Sequence, residues 1–231
     1  VDLLDSFNVP AYKISSFELV DLPLISYVAK KNKPILLSTG MASLNEVRNA
    51  VETAKKGGCQ NIVIFHCISG YPTPIEHANL NGIKTLKEEF GINVGLSDHT
   101  LGILSSITAV SLGVSVIEKH FTLSRSSGGL DSAFSLEPKE MESLVKDVNL
   151  AYLSLGKKNH LRSEIESTSK TFRRSIYFVK DINKGEIITN KHIKRIRPGF
   201  GLDPKYYFKI IGKKATRNIK RGERVTKDSF C

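Results

Sequence analysis

The sequence predicts an α/β fold: a (β/α)8 TIM barrel, of which only about the last five βα units are present, followed by a small β-rich C-terminal domain. Three observations lead to this prediction. Five short apolar runs alternate with helix-like segments, polar residues cluster at the carboxyl end of each run, and the C-terminal part contains an internal repeat marked by glycines. Successive βα units indicate a parallel sheet, and polar groups at many strand ends are typical of a barrel. No GxGxxG or Walker A motif favours a doubly wound nucleotide-binding sheet.

The predicted strands are short apolar runs, as expected for parallel strands that are buried on both faces. They cover residues 11–17, 34–40, 61–69, 93–99 and 115–121. Helical patterns follow them at residues 21–32, 43–58, 79–91, 104–113 and 137–156. The second of these helices begins with a capping box, Ser43 and Glu46, and closes on Gly57.

The number of βα units is too small for a closed barrel. A complete eight-stranded barrel needs about 250 residues, and the chain begins at Val1, within a helix-like segment. We therefore expect about three preceding βα units to be missing from this chain.

Charge is distributed unevenly along the chain, whose net charge is +11. Residues 157–231 hold 21 of the 34 Lys and Arg residues but only 7 of the 23 Asp and Glu residues, so this segment carries a net charge of +14 and the remainder −3. Such asymmetry indicates two domains. We predict a partial barrel at residues 1–156, a linker at 157–174 and a small domain at 175–231.

The predicted small domain contains two similar segments. DINKGEIIT (181–189) and NIKRGERVT (218–226) align at an offset of 37 residues. Lys-Gly-Glu and Arg-Gly-Glu are signals for tight turns between short strands. The repeat predicts a compact domain of about 60 residues with quasi-twofold internal symmetry, a size at which independent folding is marginal.

Composition limits the partners that the chain is expected to have. A basic domain is compatible with nucleic acid, with a small anion or with simple solvation, but no nucleic-acid motif or aromatic-rich platform occurs, so we expect no nucleic-acid partner. No apolar run is long enough to cross a bilayer and no signal peptide is visible, so we expect no membrane association. Cys59, Cys67 and Cys231 show no disulfide-framework spacing, which suggests a reducing compartment and a cytoplasmic protein.

Two histidines, His99 and His120, lie at the ends of neighbouring predicted strands. They are 21 residues apart, the length of one βα unit, so adjacent barrel strands would bring both to one rim. Two histidines with open positions beside them suit a divalent transition metal. The alternative is that each is an ordinary hydrogen-bonded strand end, and spacing does not decide between the two interpretations.

Lys13 is placed inside an otherwise apolar strand, where a lysine needs an anionic partner if it is buried. It could form a Schiff base, clamp a phosphate or carboxylate, or extend its ammonium to solvent at a strand edge. Small hydroxyl residues at successive strand ends could complete an anion site with it: Ser16, Ser38, Thr39, Ser69 and Ser97. Cys67, inside the third strand, is expected to be a core residue.

The ordered motifs resemble those of one known family, the sialic acid synthases. They are YKISSFE (12–18), PILLSTGMAS (34–43), HCISGYPTP (66–74), NLNGIKTLKEEFG (79–91), VGLSDHTLG (94–102) and VIEKHFTL (116–123). The basic C-terminal part, with its repeat and RPGFGL (197–202), resembles the antifreeze-like (SAF) domain of that family. DSAFSLEP (131–138) is more similar to the pseudaminic acid branch than to the N-acetylneuraminate branch.

The resemblance implies an enzyme that condenses phosphoenolpyruvate with an amino sugar to give a nine-carbon α-keto acid and phosphate. For the pseudaminic acid branch the sugar is a 2,4-diacetamido-trideoxy hexose; N-acetylneuraminate or legionaminate synthesis is the alternative, and a non-catalytic polyanion-binding protein is a third. Because the family places further ligand-binding groups in the first barrel strands, we expect this chain alone to be inactive.

The resemblance also assigns roles to individual residues. It implies that His99 and His120 hold Mn²⁺ or Mg²⁺ and that Glu18 lies beside the reacting carbons, where we expect it to transfer a proton. The residues implied to bind phosphoenolpyruvate are Lys13, Ser16, Ser38, Ser69 and Ser97. Those implied to bind the sugar are Tyr71, Asp131 and Arg197, the last reaching the barrel of the neighbouring subunit in a domain-swapped homodimer.

Three further residues remain open after this assignment. Arg195 is the alternative to Arg197 as the arginine that reaches the neighbouring barrel. Asp98 and Glu118 have no implied role, and we expect them to orient the metal ligands.

Overall fold

The computed structural model describes residues 1–158 and 163–231, and these residues divide into two compact units, Val1–Lys157 and Lys158–Cys231. Each unit has its own cluster of buried apolar side chains.

Within residues 1–158, five parallel strands form one sheet in the order β1-β2-β3-β4-β5. The strands are β1 Tyr12–Ile14, β2 Ile35–Ser38, β3 Ile62–Cys67, β4 Asn93–Asp98 and β5 Ile117–Lys119. Lys13 lies opposite Leu36, and Asp98 lies opposite Lys119. The sheet is strongly curled, since Lys13 on the first strand reaches Glu118 on the fifth, with an Nζ–Oε2 distance of 3.0 Å. The predicted partial barrel is confirmed as a curled half-barrel.

Helices connect and follow the strands in the predicted alternation. They are α1 Asp2–Ser6, α2 Leu22–Ala29, α3 Leu44–Lys56, α4 Gly82–Phe90, α5 Leu104–Ser111 and α6 Pro138–Leu155. The predicted capping box of α3 is present: Ser43 Oγ accepts the Glu46 N–H, and the Glu46 carboxylate accepts the Ser43 N–H. This arrangement pairs two of the backbone donors that a helix leaves free at its N-terminus.

The core of this unit lies between the sheet and the helices. Ile25 of α2, Ile35 of β2, Ile64 of β3 and Ile83 of α4 are fully buried in it, and Val47 of α3 is nearly so. Each such side chain contributes about 1.5–3 kcal/mol to folding by leaving water. The packed core holds the carboxyl ends of the strands in place.

The observed strands are shorter than the sequence predicts. β1 ends at Ile14 because the chain turns there, and the Glu18 N–H donates to the Ser15 carbonyl at 3.2 Å. β5 ends at Lys119, after which the His120 carbonyl accepts the Leu136 N–H at 2.9 Å. Several polar residues that were predicted within the strands therefore lie on the turns that follow them.

The C-terminal unit pairs β6 Ser175–Phe178 with β7 Ile193–Ile196 in antiparallel fashion and carries one short α-helix, α7 Tyr207–Ile210, among its described residues. Short 3₁₀ helices occur at Glu164–Glu166, Thr168–Phe172, Pro204–Tyr206 and Lys227–Ser229. In the first unit they occur at Ile75–His77, Arg125–Ser127 and Ser132–Phe134.

The sequence repeat corresponds to internal symmetry of the C-terminal unit. Ile182 and Ile219 occupy equivalent positions in the two copies and exchange both backbone hydrogen bonds, at 3.0 and 2.9 Å. Matching side-chain contacts, each 2.8 Å long, join Asp181 to the Arg221 N–H and Asn218 to the Lys184 N–H. The predicted quasi-twofold arrangement is confirmed at these residues.

The segment predicted as a linker is partly packed onto this unit. The Gly199 N–H donates to the Thr171 carbonyl at 2.8 Å, and the Arg174 guanidinium donates to the Arg195 carbonyl at 3.3 Å. Residues 159–162 of the predicted linker lie outside the described residues. None of the helices in the described part of the chain is both long enough and apolar enough to cross a bilayer.

Candidate active site

The carboxyl ends of the five strands surround a cavity of about 390 Å³, which we call the rim cavity. Its lining residues come from the strand ends and the loops after them: Lys13, Ser15, Ser16, Phe17, Ser38, Cys67, Tyr71, Ser97, His99, Glu118, His120 and Asp131. Eight of the eleven predicted site residues are in this set. The structure therefore brings the candidate metal ligands, most of the candidate anion-binding groups and two candidate sugar contacts to one place.

A larger cavity of about 700 Å³ lies along the apolar part of the half-barrel and shares Lys13 and Glu118 with the rim cavity. Its other lining residues include Leu36, Phe65 and Leu144. Because the groups able to bind charged ligands converge in the smaller cavity, the rim cavity is the better candidate for an active site.

Lys13 is the cationic centre of the rim cavity. Its ammonium donates to Ser38 Oγ at 2.7 Å and lies 3.0 Å from the Glu118 carboxylate, with the Phe65 ring 5.3 Å away. Its side chain is 27% exposed. A half-buried ammonium with a hydroxyl beside it can receive a phosphate or a carboxylate.

A second group of hydroxyls lies close to Gly40. Ser16 Oγ accepts the Gly40 N–H at 3.0 Å, and a Cβ atom at Gly40 would come within 2.1 Å of Ser69 Oγ and 2.7 Å of Ser16 Oγ. A larger residue at this position would have to displace both serine hydroxyls. Ser69 Oγ is buried without a hydrogen-bond partner among the described residues, which leaves its hydroxyl able to donate to a ligand.

The two histidines face each other across neighbouring strand ends. Their ring centroids are 5.1 Å apart at an interplanar angle of 61°. His99 Nδ1 is 2.8 Å from the Ile68 carbonyl, and His120 Nδ1 is 3.5 Å from Asp131 Oδ2. Histidines that ligate a metal usually make such a contact through the second ring nitrogen, which fixes the ring and leaves Nε2 for the metal.

Aromatic rings hold this pair from one side. Phe134 is buried and lies 5.0 Å from the His120 ring, while Tyr71 lies 4.3 Å from the His99 ring. The Tyr71 side chain remains substantially exposed at the mouth of the cavity, where a sugar hydroxyl could meet it.

The protonation of the histidines depends on their surroundings. Burial lowers the pKa of His99, but its contacts with the Cys67 thiol and the Ile68 carbonyl outweigh burial and raise it overall. Burial raises the pKa of Cys67, but hydrogen bonds with His99 and Ser16 outweigh that effect and lower it. Burial, and then the charge of His99, lower the pKa of His120. The lowered pKa of His120 favours its neutral form, which is the form that binds metals.

The imidazoles of His99 and His120 fit a divalent metal that takes only part of its ligands from the protein. Among residues 1–158 and 163–231, no group of three or more His, Cys, Asp and Glu side chains is arranged to hold a metal ion. Two imidazoles with positions left for water and substrate are the kind of open site that catalytic metals use. His99 and His120 therefore fit a catalytic ion better than a closed structural one.

Three predicted site residues do not line the rim cavity. Glu18 is exposed on the turn after β1, where it accepts a hydrogen bond from Ser15 Oγ. Ser69 lies just behind Gly40. Arg197 belongs to the C-terminal unit, where it is exposed directly after β7. The alternative arginine, Arg195, lies with its guanidinium 5.0 Å from the centre of the Tyr207 ring.

Four residues of the cavity were not among the predicted site residues: Ser15, Phe17, Cys67 and Glu118. Cys67 was expected in the core, but its thiol lines the cavity, 3.9 Å from His99 Nδ1 and 3.5 Å from Ser16 Oγ. Glu118 was expected to orient metal ligands, but its carboxylate instead pairs with Lys13. The alternation of side chains along a strand could have indicated Glu118, because it lies two residues before His120 and shares its face.

Comparison with known proteins decides the family. Residues 1–160 match the model of the NeuB family, and residues 173–230 match that of the SAF domain. The chain belongs to the NeuB family. The resemblance to sialic acid synthases with an antifreeze-like domain is thereby confirmed.

The similarity of this NeuB family member to its relatives extends over nearly the whole chain. It is 42% identical to a pseudaminic acid synthase of Helicobacter pylori, over 100% of this chain and 68% of that protein. It is 40% identical to an N,N'-diacetyllegionaminic acid synthase of Campylobacter jejuni, over 97% of this chain and 68% of that protein. The two identities are nearly equal, so sequence similarity does not decide between the pseudaminic acid and the legionaminic acid relatives.

A solved structure also resembles the chain over its full length. The crystal structure of a spore coat polysaccharide biosynthesis protein E from Chromobacterium violaceum matches 100% of this chain and 70% of that chain, with a TM-score of 0.76 at 26% identity. The chain spans about two thirds, 64–69%, of the length of the curated relatives that it matches.

Proposed function

We propose that this protein condenses phosphoenolpyruvate with an amino sugar in its aldehyde form, giving a nine-carbon α-keto acid and phosphate, and that the sugar is the 2,4-diacetamido-trideoxy hexose that leads to pseudaminic acid. The observation that carries the proposal is that one cavity contains both a lysine with serine hydroxyls and a pair of histidines. The names of its relatives support the same reaction class.

Phosphoenolpyruvate would bind at the cationic side of the rim cavity. Lys13 and Ser38 already form a hydrogen-bonded pair, and Ser16, Ser69 and Ser97 supply further hydroxyls around it. Charge-assisted hydrogen bonds of this kind are about twice as strong as neutral ones. Binding requires the Glu118 carboxylate to yield its place on Lys13 to the ligand.

His99 and His120 would hold Mn²⁺ or Mg²⁺. A metal bound there would supply Lewis-acid polarisation of the sugar aldehyde and orientation of water. The hydrogen-bond contacts of the two Nδ1 atoms fix the rings for this task, and Tyr71 and Phe134 restrict their movement.

The bond changes balance without a redox partner. C3 of phosphoenolpyruvate attacks the aldehyde carbon and forms the new C–C bond, and the aldehyde oxygen takes up a proton. Water adds at C2 and releases its protons, and the C2–O bond to phosphate breaks to leave the keto group. Glu18 is the proposed proton-transfer group.

The sugar would lie at the mouth of the cavity, between Tyr71 and Asp131. We include Arg197 of a neighbouring subunit in this site and propose a homodimer that supplies it. Arg197 is exposed directly after β7, whereas Arg195 lies against the Tyr207 ring, which favours Arg197 as the arginine able to reach a partner.

The experiment measures phosphate release and product mass after incubation with phosphoenolpyruvate, Mn²⁺ and each candidate sugar. The chain is assayed both by itself and joined to the residues that precede the matched region in the Helicobacter pylori relative. We expect release in at least one format, with the mass of pseudaminic acid and with loss of turnover in Lys13→Met.

Two outcomes would overturn parts of the proposal. A product only from the legionaminate or N-acetylneuraminate precursor would reassign the sugar. No release in either format, together with salt-dependent polyanion binding that survives metal chelation, would replace the enzyme by a binding protein.

A further inference from the structure

A buried ion pair joins the two strand ends that carry the histidines. Lys119 Nζ of β5 lies 3.0 Å from Asp98 Oδ2 of β4, and the two side chains are 2% and 1% exposed. The two residues are direct partners in the strand register. Neither residue lines the rim cavity.

The Asp98 carboxylate is fully engaged by its surroundings. Oδ1 accepts the Thr100 N–H at 2.9 Å and the Thr100 hydroxyl at 2.8 Å, and Oδ2 accepts the Ser106 hydroxyl at 2.7 Å. Lys119 also donates to the Thr100 carbonyl. The network therefore ties the turn after β4 to strand β5 and to helix α5.

The chain positions of this pair connect it with the histidines. His99 follows Asp98 directly, and His120 follows Lys119 directly. Because successive side chains of a strand point to opposite faces, the ion pair lies on the outer face and the histidines on the inner face of the same two strand ends. The outer pair therefore joins the same two strand ends that carry the inner pair.

Stability alone is a poor explanation for such a pair. Replacing a buried ion pair by uncharged residues of similar volume is often neutral or stabilising, because desolvation offsets the attraction between the charges. A fully satisfied buried network does, however, select one geometry. We propose that Asp98 and Lys119 are positioning residues that set the separation of His99 and His120 for metal binding, an inference that rests on the proposed function.

The test uses the whole chain, four variants and one control variant. Asp98→Asn keeps an acceptor for the Thr100 N–H, Lys119→Met keeps the length of the side chain, and the double variant removes both charges together. His99→Ala reports on the metal site itself. Lys31→Met is the matched control, since Lys31 pairs with Asp2 at 2.8 Å and Asp5 at 3.2 Å, outside the rim cavity.

Two quantities are measured for each protein: resistance to urea without metal, and affinity for Co²⁺ from its visible absorption. Each single variant leaves a buried charge uncompensated and is expected to lose stability, which the double variant recovers. We expect the double variant nevertheless to bind Co²⁺ about 10–100-fold more weakly than the parent, the usual effect of losing residues that orient metal ligands. Lys31→Met should bind Co²⁺ as the parent does.

The outcomes separate this inference from the proposed function. If His99→Ala loses Co²⁺ but the stable double variant binds it like the parent, the pair is structural and the positioning role is wrong. If His99→Ala binds Co²⁺ like the parent, the metal assignment itself is wrong.

A metal-free measurement judges the spacing directly. His99→Cys and His120→Cys are introduced together with Cys67→Ser, because the Cys67 thiol lies 3.9 Å from His99 Nδ1 and could form a competing disulfide. Oxidation to a disulfide is followed by mass spectrometry, since a disulfide forms only within a narrow range of separations. We expect rapid crosslinking when Asp98 and Lys119 are intact and slower crosslinking in the Asp98→Asn/Lys119→Met background. Equal rates in the two backgrounds would contradict the inference whatever the metal does.

Discussion

Lys13 is the residue on which the proposed anion site depends most. It lies on the short first strand, contacts Ser38 at 2.7 Å and Glu118 at 3.0 Å, and keeps its side chain only 27% exposed. Its ammonium is therefore held in place but still accessible from the rim cavity. A trivalent anion such as phosphoenolpyruvate would gain a charge-assisted hydrogen bond there.

We predict that Lys13→Met weakens phosphoenolpyruvate binding by about 1.5–3 kcal/mol, the usual contribution of a hydrogen bond to a charged group. Isothermal titration calorimetry in the presence of Mg²⁺ measures the effect. Lys30→Met is the control, because Lys30 is an exposed lysine at the end of α2 and does not line the cavity.

Glu118→Gln provides the opposite change at the same site. It removes the carboxylate that pairs with Lys13, so phosphoenolpyruvate no longer competes with it and should bind more tightly. If Lys13→Met and Lys30→Met weaken phosphoenolpyruvate binding to the same extent, only the overall charge of the protein matters. That result would contradict the assigned role of Lys13.

Residue types at the strand ends could be predicted from sequence, but some of their partners could not. Lys13, Ser38, His99 and His120 were predicted because each interrupts or ends an apolar run. The pairing of Lys13 with Glu118 depends on how tightly the five strands curl, which no local pattern specifies.

The N-terminus of helix α6 illustrates how an element is tied to the strand before it. The Glu140 carboxylate accepts the Glu137 N–H at 2.8 Å and is held by the Arg125 guanidinium at 2.5 and 3.0 Å. Hydrogen bonds from Arg125, and then from the Glu137 backbone, lower the pKa of Glu140 to about 2 from 4.5. The loop after β5 is thereby joined to the first turn of α6.

We predict that Glu140→Gln destabilises the N-terminal unit by about 1 kcal/mol at neutral pH, a value typical of a helix cap with a partly exposed ion pair. A carboxylate whose folded pKa is depressed adds stability that is present above the unfolded pKa, here 4.5, and is lost as the pH falls toward 2. The difference in the free energy of unfolding between the parent and Glu140→Gln should therefore shrink as the pH falls from 4.5 toward 2.

Urea unfolding at several pH values measures this difference, with Glu142→Gln as an exposed control on the same helix. If the difference in the free energy of unfolding between the parent and Glu140→Gln stays the same down to about pH 2, the charge of Glu140 contributes nothing to stability.

The existence and order of the elements were predictable, whereas their ends were not. The α3 capping box was visible in the sequence because its two residues act locally. The predicted strand 115–121 shrank to Ile117–Lys119, because its end is set by a hydrogen bond from Leu136, a residue far along the chain. Strand ends depend on such distant partners more than helix starts do.

At the scale of the whole molecule, the described residues form a half-barrel and a separate symmetric unit. The curled sheet places groups from all five strand ends around one cavity, as parallel barrels do at their carboxyl face. The sequence predicted this arrangement from the βα alternation and the repeat, because both patterns extend over many residues. The contacts that individual loop residues make, such as those of Glu18, could not be predicted in the same way.

The two histidines and the anion-binding residues are proposed to form one metal-dependent site. If phosphoenolpyruvate changes the affinity of the site for the metal, the metal changes the affinity for phosphoenolpyruvate by the same factor. Binding of Mn²⁺, followed by the loss of the free-ion signal in electron paramagnetic resonance with and without phosphoenolpyruvate, therefore tests the claim directly. His77→Ala is the control, because His77 is exposed and does not line the rim cavity.

We predict that the chain binds one Mn²⁺, that phosphoenolpyruvate changes its affinity, and that His99→Ala and His120→Ala each abolish binding while His77→Ala preserves it. Unchanged Mn²⁺ affinity in both His99→Ala and His120→Ala would contradict the account.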